Sequence, residues 1–126
     1  MQKMTVISIV DDNESVREAT KSLVRSLGYK AMTFGSGEEF LESPYVAATS
    51  CLITDVQMPG LNGVELHDRL IADGHSMPVI FVTGFPDEEL QRRAMKSGAI
   101  GYLRKPCNDD HLVAYIDAAL ASGTAR

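Results

Sequence analysis

Five short apolar runs alternate along this chain with five stretches of helical periodicity, and that alternation limits the folds open to it more than any other feature. Residues 5–10 form a β-branched run without regular polar alternation, the pattern of a strand buried on both faces of a parallel sheet. The run at 30–34 is mixed, as suits an edge strand, whereas 78–83 is the most apolar and belongs at the sheet centre. Runs at 51–55 and 100–103 complete the set. Strands alternating with helices in this way build a parallel sheet covered on both faces by right-handed crossovers, so the expected fold is α/β and doubly wound.

The intervening segments carry their own start and stop signals. After Asn13, a good N-cap, Val16, Ala19, Thr20, Leu23, Val24 and Leu27 recur at helical spacing, and Gly28 fits the position just past the end. Ser36 with Glu39 makes a capping-box signal for a short helix around Phe40 and Leu41, limited by Pro44. Asn62 and Glu65 repeat that signal before Val64, Leu66, His67, Leu70 and Ile71, a helix closing near Asp73-Gly74. Pro86 suits a first helical turn, with Leu90, Ala94 and Met95 as the inner face up to Gly98. Asn108 opens a terminal helix through Leu112, Tyr115, Ile116, Ala119 and Leu120, expected to fray from Ser122.

A chain of 126 residues predicts one domain, 1–126, with a core of about 4–121 and no second unit for output. Seventeen acids against twelve bases, a net charge of −5, disfavour direct binding to a nucleic-acid backbone. No segment approaches the roughly 18 apolar residues that span a bilayer. The N-terminus lacks the features of a signal peptide, so the cytoplasm is the expected location. Cys51 and Cys107 have no metal-ligand spacing and are expected as free thiols.

Ligands of such sheets bind beyond the carboxyl ends of the strands, where chain order reverses. Four strands present a polar group at that edge: Asp11 and Asp12 after the first, Asp55 ending the third, Thr83 ending the fourth and Lys105 after the fifth. Taken singly, each has a bland reading, the acid pair as a helix start, Thr83 as a loop hydroxyl and Lys105 as a solvated charge. Their shared edge reverses the odds. Three carboxylates in a partly desolvated site raise one another's pKa unless a cation intervenes, and oxygen-only ligands favour Mg2+, or Mn2+, over zinc. Aspartate is a competent nucleophile toward phosphorus, so Asp55 is the expected phosphoacceptor, with Lys105 and the Thr83 hydroxyl stabilising the phosphoryl oxygens. His67, His75 and His111 sit apart and read as surface or helix-face residues, and Arg92 and Arg93 as a solvated face.

The combination of Asp11-Asp12, Asp55 followed by Met58-Pro59 and Gly63, Thr83-Gly84, and Lys105-Pro106 resembles the receiver domain of two-component response regulators over almost the whole chain. The Asp55 loop and the Thr83-Gly84 pair look most like receivers of the FixJ type. The resemblance implies a flavodoxin-like (βα)5 fold with strand order 2-1-3-4-5. It implies a phosphohistidine donor, on a sensor histidine kinase or a phosphotransfer protein, and Asp55 as acceptor. Asp12 and Asp55 would hold Mg2+ directly, Asp11 through water, and the Gln57 backbone carbonyl would complete the protein ligands. Lys105-Pro106 would be cis, and Tyr102 would be the aromatic switch that follows Thr83 inward, altering the face made by the fourth helix, fifth strand and fifth helix.

By the same resemblance the domain catalyses only its own phosphorylation and slow dephosphorylation, and is not a turnover enzyme. Its partners would be a downstream protein target or a C-terminal output domain, with a phosphorylation-dependent homodimer through the switch face and neither nucleic acid nor membrane bound directly. FixJ-type receivers usually precede a helix-turn-helix domain; here the expectation is a single-domain regulator or a segment of a longer chain. Cys107 stands where receivers commonly carry an aromatic residue. Gln57 and Phe85 lie two positions beyond Asp55 and Thr83, where side chains overhang the phosphoryl group, and a bulky Phe85 is expected to slow hydrolysis. A phosphatase of the haloacid dehalogenase type would need an acid at the Gln57 position, and a merely structural interaction module would not need the Asp, Thr and Lys set.

Overall fold

The computed structural model describes residues 5–124 apart from Pro86 and Cys107. The chain runs β1 Val6–Val10, α1 Glu14–Ser26, β2 Lys30–Phe34, α2 Gly37–Glu42, β3 Thr49–Asp55, α3 Gly63–Ala72, β4 Val79–Thr83, α4 Glu88–Lys96, β5 Gly101–Arg104 and α5 Asp109–Thr124. All four strand pairings are parallel, and the order across the sheet is β2-β1-β3-β4-β5, the flavodoxin-like arrangement that the resemblance implies. The chain lays β2 on one side of β1 and the later strands on the other, so its direction reverses between β1 and β3.

The register carries that reversal to the carboxyl edge. Val10 pairs with Thr54, Asp55 with Val82, and Thr83 with Arg104. Asp11, Asp55, Thr83 and Lys105 therefore end four adjacent strands in one row.

Successive residues of each strand face opposite layers. Val10, Leu52, Val79 and Phe81 join Phe40, Leu66, Leu70 and Ala94 of α2, α3 and α4 in one core. Ile7, Ile9, Ile53, Ile80 and Val82 join Val24, Leu112, Ile116 and Ala119 of α1 and α5 in the other. Burying one such large side chain contributes roughly 1.5–3 kcal/mol, which is why a central strand that serves both layers has to be apolar at almost every position. Ser8 and Thr49 interrupt it without leaving a polar group unpaired, since their hydroxyls meet at 2.7 Å. The Cys51 thiol is fully buried, and burial pushes its pKa up to about 12, leaving it unreactive.

Several boundaries differ from those read off the sequence. β3 begins at Thr49, two residues before the apolar run, because Ser8 and the Tyr45 carbonyl satisfy the Thr49 hydroxyl inside the sheet. β4 begins after Pro78, which has no N–H to give, although its carbonyl accepts from Leu52 at 3.0 Å. β5 runs from Gly101 to Arg104, shifted by one residue, and a Cβ at Gly101 would lie 2.7 Å from the Tyr115 ring. Ile71 and Met95 are 48% and 47% exposed instead of facing inward. Each sits one residue, about 100° of helix rotation, past the buried Leu70 or Ala94. α5 continues through Thr124, past the expected fraying point at Ser122. The expectations for Pro86 and Cys107 lie outside the described residues. Among those described, no helix is long and apolar enough to cross a membrane.

Candidate functional site

Two backbone turns and one long side chain assemble the pocket. Asn13 caps α1 by accepting the Val16 N–H at 3.0 Å, and its own N–H donates to Asp11 Oδ1 at 2.9 Å. Asp11 is thereby held inward, 4% exposed, while Asp12 faces solvent. Asp55, 7% exposed, stands beside it at the end of β3. Gly63 lets the following helix close on that strand: a Cβ there would lie 2.2 Å from the Asp55 carbonyl oxygen, and the Gly63 N–H donates to Val56 at 2.7 Å. The start of α3 is then fixed by a full capping box, with Asn62 and Glu65 exchanging bonds of 2.8 and 2.9 Å. α2 departs from that pattern. Ser36 caps Glu39, but the Glu39 carboxylate accepts from Gly35, one residue earlier than a reciprocal box requires.

Lys105 enters from β5, with its backbone N–H on the Thr83 carbonyl at 2.7 Å and a cis peptide to Pro106, as the resemblance implies. Its ammonium donates to Asp11 Oδ2 at 2.9 Å and to Asp55 Oδ2 at 3.1 Å. Burial pushes the Asp55 carboxyl above its ordinary range; the Lys105 hydrogen bond and charge pull it back, the Asp11 charge raises it further, and the Gln57 N–H at 3.3 Å lowers it slightly. Burial also works against the Lys105 ammonium, but the bonds and charges of Asp11 and Asp55 outweigh it, so its pKa is raised and the lysine stays charged.

Asp11, Asp12 and Asp55 each offer a carboxylate oxygen, all within 4.8 Å of one another. One ammonium does not balance three carboxylates, and the donors are hard oxygens without His or Cys. The set fits Mg2+ or Mn2+.

Thr83 reaches the same edge fully buried, but its hydroxyl donates to the Phe85 carbonyl at 3.2 Å and accepts the Phe85 N–H at 3.1 Å, so it serves its own loop. Tyr102 packs 6.2 Å from the Phe81 ring, with its hydroxyl sealed from solvent and lacking a well-formed hydrogen bond. Burial, then the charges of Asp87 and Asp55, raise its phenol pKa, and the Asp87 backbone offsets part of the rise. The Gln57 side chain is exposed.

Sequence reasoning missed two residues that touch the backbone of the site. Arg17 donates to the Asp11 carbonyl at 2.8 Å, and Glu38 accepts the Leu61 N–H at 3.1 Å in the loop after Asp55. Helical side chains lean toward the helix N-terminus, so Arg17 near the start of α1 had a readable path back over the turn. Glu38 belongs to a contact between distant segments, for which no local pattern exists.

A flavodoxin-like sheet whose switch point carries three carboxylates and a lysine defines a class of α/β signalling domains. The chain belongs to the response regulator receiver domain family, whose sequence profile matches residues 7–117. Such receivers are phosphoacceptor signalling modules and not conventional enzymes. Nodulation protein W of Bradyrhizobium diazoefficiens is 39% identical over 117 residues, covering 93% of this chain and 50% of that protein. The transcriptional regulatory protein FixJ of the same organism is 36% identical over 114 residues, covering 90% of this chain and 56% of that protein. The crystal structure of FixJ-N matches with a TM-score of 0.83 at 32% identity, over 96% of both chains. This chain therefore spans about half the length of the curated relatives it matches.

Proposed function

We propose that Asp55 accepts a phosphoryl group from the phosphohistidine of a sensor histidine kinase or of a phosphotransfer protein. A carboxylate oxygen of Asp55 attacks phosphorus in line; the P–O bond forms as the P–N bond breaks, and the imidazole leaves with the electron pair. The observation that carries this reading is the 3.1 Å contact between Lys105 and Asp55 inside the three-acid cluster. Lys105 pulls the Asp55 pKa back against the effect of burial, and the same ammonium is then at hand for the phosphoryl oxygens. Asp12 and Asp55 would hold Mg2+ directly, with Asp11 acting through water and the Gln57 backbone carbonyl as a further ligand. Bound there, the metal supplies positive charge to the phosphoryl group.

The Thr83 hydroxyl is the second donor to the phosphoryl group, and to reach it the hydroxyl gives up its bonds to Phe85. The β4–α4 loop then rearranges, Tyr102 repacks, and the face of α4, β5 and α5 changes. That face is the proposed meeting surface for a downstream protein, an output domain or a second copy of the chain. The described fold acts as one domain in the cytoplasm, and the only reactions it catalyses are its own phosphorylation and slow hydrolysis. Phe85, 74% exposed and two residues beyond Thr83, is proposed to hinder the attacking water.

Acetyl phosphate with Mg2+ should label the wild type at one site and leave Asp55→Asn unlabelled. Persistent stoichiometric labelling of Asp55→Asn at that site would sink the assignment. After donor removal the label should decay faster in Phe85→Ala than in the wild type, and equal decay contradicts the role of Phe85.

A further inference from the structure

We infer that Arg17 is the positioning residue of the turn that carries Asp11 and Asp12, an inference that rests on the reading of these acids as a metal site. Asp11 is held at four points. Its N–H donates to the Phe34 carbonyl at 3.1 Å, and its Oδ1 accepts from Asn13 at 2.9 Å. Its carbonyl accepts from Arg17 Nη1 at 2.8 Å. Only Oδ2 faces the pocket, where it meets Lys105 at 2.9 Å. Remove Arg17, and the backbone carbonyl of Asp11 loses its protein partner.

That carbonyl matters beyond Asp11. It shares one rigid peptide plane with the Asp12 N–H, so anchoring it fixes the rotation that aims Asp12 toward the other two acids. The anchor comes from outside the turn, because Arg17 is built on the rigid α1 and reaches back over its start. The β2–α2 turn passes beside the guanidinium at Gly35, where a Cβ would make only ordinary contacts, 3.8 Å from Arg17 Nη1 and 3.4 Å from the Glu39 carboxylate.

The charge of Arg17 points the other way. A fixed cation held 2.8 Å from the Asp11 carbonyl opposes a divalent ion at the neighbouring acids, so on Coulomb grounds alone its loss would tighten metal binding. Positioning predicts that its loss weakens binding, and the sign separates the two roles.

The test is calorimetric titration of the full chain with Mn2+, for wild type, Arg17→Met and Arg17→Lys at one ionic strength. Folding midpoints and the metal-free amide exchange of Asp12 are measured alongside. Arg17→Met should bind about tenfold more weakly or worse, the scale of losing a group that orients a metal ligand. Arg17→Lys, which keeps a donor for the carbonyl, should recover part of the loss, and Asp12 exchange should quicken in Arg17→Met. If Arg17→Met fails to fold, Arg17→Gln takes its place with the same expected direction. Binding by the variant equal to or tighter than wild type overturns the inference about Arg17 while leaving the metal site intact. A wild type that takes up no Mn2+ overturns the metal reading beneath it.

Discussion

Asp55 sits where it costs the fold stability, since burial holds its carboxyl above the ordinary 3.8 even with Lys105 alongside. A folded-state pKa above the unfolded one means that the native protein binds the proton more tightly. Stability therefore falls as pH rises from 3.8 through the raised value and stays reduced at neutral pH. Asp55→Asn should then be more stable than wild type at neutral pH, by roughly 0.5–2 kcal/mol, with the gap closing in acid; Lys105 keeps Asp11 as a partner. Urea titrations across that pH range check it, and a less stable variant at neutral pH contradicts it. At this scale Asp11, Asp12, Asp55 and Lys105 were legible because each closes or follows an apolar run, and strand ends are what a parallel sheet brings together. The bonds of the Thr83 hydroxyl to Phe85 and the reach of Arg17 depend on side-chain torsions, which spacing does not encode.

Helix α4 is lightly attached for an element expected to respond to phosphorylation. Its last turn is tied to α3 through Asp68, which accepts from the Ser97 hydroxyl at 3.3 Å and meets Arg93 at 3.6 Å. The Arg93 pair is half exposed, and such pairs contribute ~0–1 kcal/mol. Next to Asp68 in α3 is His67, 6% exposed, its ring 5.8 Å from Phe81 and its Nδ1 sealed without a partner. Burial lowers its pKa below 6.5, and the charge of Asp68 offsets part of that. Because the unfolded chain binds this proton more tightly, the His67 contribution is intact above 6.5 and is lost as pH falls below it.

Asp55 titrates with the opposite effect, so the informative quantity is the difference between wild type and His67→Met at each pH. That difference should shift in favour of the variant as the solution is acidified below 6.5, read as melting temperature; parallel profiles contradict it. Helix existence was legible from caps and periodicity, as the bonds at Asn13, Ser36 and Asn62 bear out. Helix faces were less so, as the outward Ile71 and Met95 show, because a neighbouring helix decides how wide an apolar stripe gets covered.

Over the whole molecule, the alternation of strand and helix was enough to require a parallel sheet with two covered faces, and the two separate cores match that demand. The strand order came from the resemblance, since periodicity does not say on which side of β1 the second strand falls. The order β2-β1-β3 then explains why the acids matter: Asp11 and Asp12 end one branch of the reversal and Asp55 ends the other, so the switch point and the carboxylate cluster coincide. On the proposed function, phosphoryl capture occurs at Asp55 and nowhere else on this chain. The most direct test is to phosphorylate the wild type with acetyl phosphate and Mg2+, reduce the acyl phosphate with borohydride, and map the reduced residue by peptide mass spectrometry. Reduction at position 55 alone is the predicted result; reduction at Asp11 or Asp12, or a phosphoryl group found on His67, His75 or His111, would contradict it.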